Sequence, residues 1–207
     1  MTQPKEPRTR LDPEVRRHQI IEAAARTLRG RDPVEVTFEE IAEAAGVSRA
    51  LVYNYFGDRG GLLAAVYLHT FGTLLEGLNA TIAAELPPAD RIKAIVRGYL
   101  RFAVEHPEVW HLLQRTAAVS HPAVIEARDR HMVELASWWG GSPYARIAAY
   151  GVVGLLEAAT LDWLSTDDAD LEVLTDVLFD LVWFGLSSLD RYGIALPSER
   201  ATLSVPT

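Results

Sequence analysis

Apolar residues recur at helical spacing along almost the whole chain. The first periodic stretch sets Ile20, Ile21, Ala24, Ala25 and Leu28 on one face. Asp12 before Pro13 supplies an N-cap and a first-turn proline, and Gly30 is a stop, so a helix is predicted to about residue 29. Two short helices follow within 34–56, joined by a glycine turn. A long helix is predicted over 59–85, ended by Pro87 and Pro88. Asp90 opens another, through Ala94, Ile95, Tyr99, Phe102 and Ala103, ending before Pro107. Shorter helices are predicted over 108–118 and 123–139, and Gly140, Gly141, Ser142 and Pro143 form a breaker. Two long apolar helices close the chain over 144–164 and 170–192, with Thr166, Asp167 and Asp168 between them. Period-two patterns with turn pairs are lacking, and no internal repeat is visible. The predicted fold is all-α, with about nine helices.

The first four helices are small and polar-faced, and the last five are richer in Trp and Leu. This divides the chain into an arm at 1–11, a small helical domain at 12–74 and a larger one at 75–207, with the boundary inside the long fourth helix. The two parts are expected to move as linked rigid bodies. The arm contains proline and arginine and is expected to lack fixed structure alone. Arg8 and Arg10 fit either a solvated tail or an arm that enters a DNA minor groove.

Charge is uneven. The net charge of −8 argues at first against nucleic acid. Residues 1–60, however, hold ten Lys/Arg and ten Asp/Glu, so 61–207 carry the whole excess. The first 31 residues hold eight basic and four acidic side chains, which suits DNA contact by that end alone. Cysteine is absent, which rules out disulfides and thiolate metal sites and fits a reducing cytoplasm. The polar start has no apolar signal region. The longest apolar run, 147–156, has ten residues and alone is too short to span a bilayer, so no membrane partner is expected.

Residues 37–56 (TFEEIAEAAGVSRALVYNYF) are the most informative stretch. Thr37 and Glu40 form a capping box, with Val36 and Ile41 as its hydrophobic staple. Ile41, Ala42 and Ala45 make an inward face, and the alanines let the next helix approach closely. Gly46 supplies a turn in which positive φ costs little. Ser48 caps the second helix, Val47 and Val52 staple it, and Val52 and Phe56 point inward. Ala50 and Asn54 then face out, flanked by Leu51 and Tyr53. Two helices so arranged offer the second to a DNA major groove.

This segment resembles the DNA-binding region of TetR-family transcriptional regulators. The matching residues are Ile20, Ile21, Ala24, Ala25, Thr37, Ile41, Ala42, Ala45 to Ser48, Val52, Tyr53, Tyr55, Phe56, Arg59, Leu62 and Leu63, across residues 14–74. The resemblance implies that Thr37, Ser48, Tyr53, Tyr55 and Arg59 lie at phosphates. It places Arg49, Ala50, Leu51 and Asn54 nearest the base edges. Tyr hydroxyls and capped amides suit phosphate oxygens, Arg49 can fork onto guanine, and Leu51 can pack on a thymine methyl. Thr37 and Ser48 are caps whatever the function, and Tyr55 also fits a core position. Arg59 stands where the family usually has Lys, and Leu51 where a small or hydroxyl residue is common. Gly60 and Gly61 are expected to loosen the start of the long helix, at about 1 kcal/mol each relative to alanine.

The resemblance further implies a ligand-binding and dimerising C-terminal domain. The last two helices carry more apolar surface than one exposed face each allows. A four-helix interface between two chains would use Leu155, Ala159, Trp163, Val177, Leu181 and Phe184; the other reading puts these in the monomer core. A pocket between the fifth and eighth helices would be lined by Tyr99, Phe102, Trp110, Leu113, Trp138, Trp139, Tyr150 and Phe179, suiting a small hydrophobic effector. Each aromatic fits the core as well. Glu157 and Asp162 would be solvated, at an interface edge, or anchors for a cation. His106, His111, His121 and His131 are candidate pocket polar groups or metal ligands, but His106 and His111 lack the i, i+4 spacing that clamps zinc on one helix face, so neither metal nor cofactor is expected.

The function this implies is a cytoplasmic, homodimeric DNA-binding transcriptional regulator, a repressor released from a palindromic operator by a ligand. An all-helical interaction module without DNA binding is the alternative. An all-α enzyme is the third class, but no nucleophile elbow, phosphate-cradling loop, catalytic carboxylate pair or metal cluster is present.

Overall fold

The computed structural model describes residues 12–140, 142–166 and 169–194, without the side chains of residues 111, 113–115 and 117. The arm at 1–11, with Arg8 and Arg10, lies outside the described residues, as do Asp167 and Asp168. The described residues form nine α-helices and no strand. These are α1 (Pro13–Leu28), α2 (Phe38–Ala44), α3 (Arg49–Phe56), α4 (Arg59–Ala83), α5 (Pro88–Glu105), α6 (Pro107–Arg115), α7 (Pro122–Trp138), α8 (Ala145–Thr166) and α9 (Leu171–Ser187).

Caps fix the small N-terminal helices where the sequence places them. Asp12 accepts from the Glu14 amide at 2.8 Å, ahead of Pro13. The capping box at α2 is complete: Thr37 Oγ1 accepts from the Glu40 amide, and Glu40 Oε2 accepts from the Thr37 amide. Those bonds and Arg31 hold the Glu40 carboxyl down at about 2, the backbone bond contributing most. Ser48 caps α3 through the Leu51 amide at 3.2 Å. Gly46, at φ +65°, makes the bend between α2 and α3.

Two boundaries differ from the sequence reading. Pro88 does not merely end one helix; it opens α5, because a proline at the first helical position gives up an amide that has no helical partner. The last helix stops at Ser187 and passes into a 3₁₀ turn over Asp190–Tyr192.

Gly61 is a further correction. A Cβ there would lie 2.2 Å from the Phe56 carbonyl oxygen, so this glycine permits close contact between the end of α3 and the start of α4. It does not simply loosen the helix.

The core is continuous across the predicted boundary. Ile20, Leu28, Ile41 and Val52 bury against the first turns of α4, and the same buried cluster runs on through Leu74, Leu78, Val96 and Leu100. A second cluster joins Met132, Trp139, Ala149, Val182 and Leu186 at the far side of the body. The ten-residue apolar run lies within a longer apolar helix. By length and composition α4 and α8 would each suffice to cross a membrane. Most of the apolar stretch of α4 is buried inside the protein, whereas only 17% of that of α8 is.

Candidate DNA interface and ligand cavity

Helix α3 offers Arg49, Ala50, Tyr53 and Asn54 to solvent, while Val52 is fully buried beneath them. Leu51 and Tyr55 are half-buried, and Tyr55 packs on the core with its ring centroid 6.2 Å from that of Phe56. Tyr53 stands edge-on against Phe38 at 4.4 Å, which ties α3 to α2. Thr37 and Ser48 are exposed at the starts of α2 and α3, with their side-chain oxygens already engaged as caps. This arrangement places one short helix, braced on its inner side, with small and polar groups outward.

The cations on this surface are held by protein groups that sequence reading did not identify. Arg49 pairs with Glu39, donates to the Tyr53 hydroxyl at 3.1 Å and lies 5.3 Å from that ring centroid. These contacts raise its pKa further, the Tyr53 bond contributing most. Arg59 is exposed and donates to the Pro33 carbonyl, joining the start of α4 to the loop before α2. Arg17 lies over the Phe56 ring at 5.5 Å. Apart from the Arg49–Tyr53 contact, four residues apart on α3, these contacts leave no periodic trace, because each joins residues from different elements.

The second feature is a cavity of about 160 Å³ inside the C-terminal body. On this measure a single water needs only about 10–15 Å³. Helices α4 to α9 all contribute to its walls. Of the predicted lining, Tyr99, Phe102, Trp110, Trp138 and Trp139 are present. Two of the predicted lining residues lie elsewhere. Tyr150 is largely exposed on α8 and donates to Asp129, and Phe179 stacks on Trp183 beneath Lys93, away from the cavity. The side chain of Leu113 lies outside the described residues.

Sequence reading missed the α4 wall. Tyr67, Phe71, Leu74, Leu78 and Ile82 form a helical stripe that looks like ordinary core. Sequence reading named Glu157 and His131 as candidates but not the groups that surround them. Glu157 is partly buried in the cavity wall, with 23% of its side chain exposed. Arg128 grips it with two hydrogen bonds, at 2.7 and 2.9 Å, and also donates to the Tyr67 hydroxyl at 3.0 Å. His131 is buried, and burial pulls its pKa down to about 4. Three lining atoms, Arg91 Nε, Trp110 Nε1 and His131 Nδ1, are buried without a hydrogen-bond partner. Among the described residues no cluster of three metal-ligating side chains occurs. His106 meets Glu108 at 3.3 Å, and His121 caps α7 through the Ala123 amide. The His111 side chain is outside the described residues.

The third feature is an uncovered apolar face. Val177, Leu181 and Phe184 on α9 are at least half exposed, as are Ile147 and Val173. Leu155 and Ala159 are half-buried. Trp163 turns inward instead, buried in the core with Nε1 donating to the Ala169 carbonyl at 2.8 Å, so it belongs to the monomer interior.

A capped two-helix unit with its second helix turned outward, on an all-helical body, defines a helix-turn-helix DNA-binding protein. Residues 20–66 match the family model of the bacterial regulatory proteins of the TetR family. An uncharacterised HTH-type transcriptional regulator from Mycobacterium tuberculosis (strain ATCC 25618 / H37Rv) is 27% identical over 199 residues, covering 89% of this chain and 83% of the relative. The HTH-type transcriptional regulator BetI from Brucella anthropi is 40% identical over 107 residues, covering 50% of this chain and 55% of BetI. The transcriptional regulator FadR from Bacillus subtilis, solved in complex with stearoyl-CoA, shares the fold. Its TM-score is 0.65 at 17% identity, over 80% of this chain and 96% of FadR. Over residues 20–66 the chain thus resembles the DNA-binding segment of the TetR family, and over most of its length it is similar to HTH-type transcriptional regulators.

Proposed function

We propose that the protein is a homodimeric repressor that leaves a two-fold operator when an apolar molecule enters the cavity. The observation that carries this reading is the continuity of α4. Its first turns bury against the DNA-binding unit, and its later turns, Tyr67 to Ile82, line the cavity. A ligand that moves α4 therefore moves the recognition helix.

Dimerisation through the exposed faces of α8 and α9 would bury Val177, Leu181 and Phe184. It would also set two recognition helices on one side of a duplex, where successive major grooves lie about 34 Å apart. Arg49, Ala50, Leu51 and Asn54 would then meet base edges. Thr37, Ser48, Tyr53, Tyr55 and Arg59 would meet phosphates. The ligand lowers operator affinity only by its differential affinity for the wider-spaced state. The nearly all-apolar lining supports a hydrophobic effector, and so does the acyl ligand of FadR, whose fold is the same. The site of action is the cytoplasm, where the operator is.

Selection of genomic fragments on the purified protein, followed by release with small apolar molecules, tests this. A retained fragment with a two-fold repeat, released by such a molecule, is the expected result. Failure to retain any fragment at about 50 mM salt, where phosphate contacts are strongest, would overturn it.

A further inference from the structure

We propose that the cavity takes an aliphatic chain with an oxyanion head, the head seated on Arg91. This rests on the reading of the cavity as the effector site.

Arg91 lies in the first turns of α5, among Ile82, Pro88 and Ile92 of the lining. One guanidinium nitrogen donates to the Leu86 carbonyl at 3.0 Å, which fixes the fork. Its Nε is buried and has no acceptor. Among the described residues no ion pair includes Arg91. A buried N–H of a cation without an acceptor is costly, and an oxyanion is the group that satisfies it with charge assistance.

Trp110 Nε1 and His131 Nδ1 are also unpaired, but the indole is uncharged and burial keeps the imidazole neutral near pH 7, so neither offers an oxyanion a fixed charge. Glu157 already has a bidentate partner in Arg128, and His131 is buried on α7, beside Phe71. A cationic head would be repelled by Arg91, and an alcohol would leave the charge uncompensated.

The remaining walls select the tail. The lining follows α4 from Tyr67 to Ile82, a rise of about 22 Å at helical pitch, and beyond the Tyr67 hydroxyl, which is held by Arg128, that stripe is apolar. A long, narrow hydrocarbon fits such a wall better than a compact ring system. Arg91 is half-buried, so a head placed there keeps some hydration while the chain is fully desolvated. Both a carboxylate and a phosphate match the guanidinium fork.

The test titrates dodecanoate and dodecyl phosphate below their micelle concentrations, and dodecanol below its solubility limit, into the parent and Arg91→Met. Fluorescence of the lining residues Trp110, Trp138 and Trp139 reports binding. The expected result is that at least one anion binds the parent about ten-fold or more tightly than dodecanol, and that Arg91→Met removes the difference while binding dodecanol as the parent does. Whichever anion shows the preference identifies the carboxylate or the phosphate as the head. Arg91→Gln is read in the same way, so the result does not depend on one variant folding. Equal binding of all three to the parent, or a preference that survives both substitutions, would overturn the head-group assignment and leave the effector site standing. Binding of none of the three would overturn both.

Discussion

A Cβ built on Gly61 would lie 2.2 Å from the carbonyl oxygen of Phe56, so only a hydrogen fits where α4 starts beneath the last turn of α3. The Gly61 amide is also bound, donating to Asp58 Oδ1 at 2.8 Å. At Gly60 the nearest atom to a Cβ would be that same oxygen, at 3.2 Å, and this is the end of a side chain. Gly61→Ala is therefore expected to cost about 1–3 kcal/mol and to weaken DNA binding, because backbone must shift. Gly60→Ala should change stability by less than about 1 kcal/mol. Thermal unfolding and gel shift on the two variants check this, and indistinguishable behaviour would mean that the Phe56 contact does not position α3.

If the outer face of α3 meets DNA as proposed, Glu39 competes with the duplex for Arg49. It holds Arg49 together with the Tyr53 hydroxyl, and both side chains of the ion pair are more than half exposed. Glu39→Gln should free the guanidinium and remove a negative charge facing the duplex. Affinity for non-specific DNA should rise several-fold, and the dependence of log K on log salt should steepen by up to about one. An unchanged salt slope would show that Arg49 does not reach the phosphates or bases in either form.

Ala50 is exposed, between the buried Val52 and the cap at Ser48, where backbone can approach base edges closely. Ala50→Glu should abolish operator binding while leaving thermal unfolding and oligomeric state as in the parent. Retained operator affinity would place the recognition surface elsewhere.

The sequence carried the N-terminal unit almost completely, because caps, staples and a glycine bend are local and each has one physical meaning. Asp12, Thr37, Glu40, Gly46 and Ser48 do what their spacing predicts. The cavity was only partly legible. Tyr99, Phe102 and Trp110 line it, but Tyr150 and Phe179, with the same composition and a similar helical setting, do not. Which face of a mostly apolar helix turns inward depends on the crossing of its neighbours, and periodicity does not encode that. The Arg128–Glu157 grip and the Arg49–Glu39 pair were hidden for a related reason: they join residues 29 and ten apart in the chain.

Phe184 is 66% exposed on α9, and Leu181 and Val177 lie one and two turns before it. An apolar stripe of this size on a monomer marks an interaction face. Phe184→Glu should shift the sedimentation of the purified protein from dimer toward monomer. It should also weaken binding to a two-fold operator far more than binding to one half-site. A parent that sediments as a monomer at micromolar concentration, or a variant that stays dimeric, would show that this face is not the seam.

His131 makes stability depend on pH in a defined window. Its ring packs edge-on against Phe71 at 5.4 Å, and burial lowers its pKa from 6.5 to about 4. The nearby charges are Glu134, Arg128 and Glu157. Between those two values the unfolded chain binds a proton that the folded chain refuses. The contribution is thus complete above pH 6.5 and is lost as pH falls toward 4, by roughly 3 kcal/mol at most. Glu40 acts lower, its folded value near 2 against 4.5, so its contribution is lost only below about pH 4.5. Urea unfolding of the parent should therefore weaken steadily from pH 7 to 4, and His131→Phe should flatten that limb while leaving the steeper loss below pH 4.5 in place. A His131→Phe protein with the same slope as the parent between pH 6.5 and 4.5 would show that this imidazole is protonated as readily folded as unfolded.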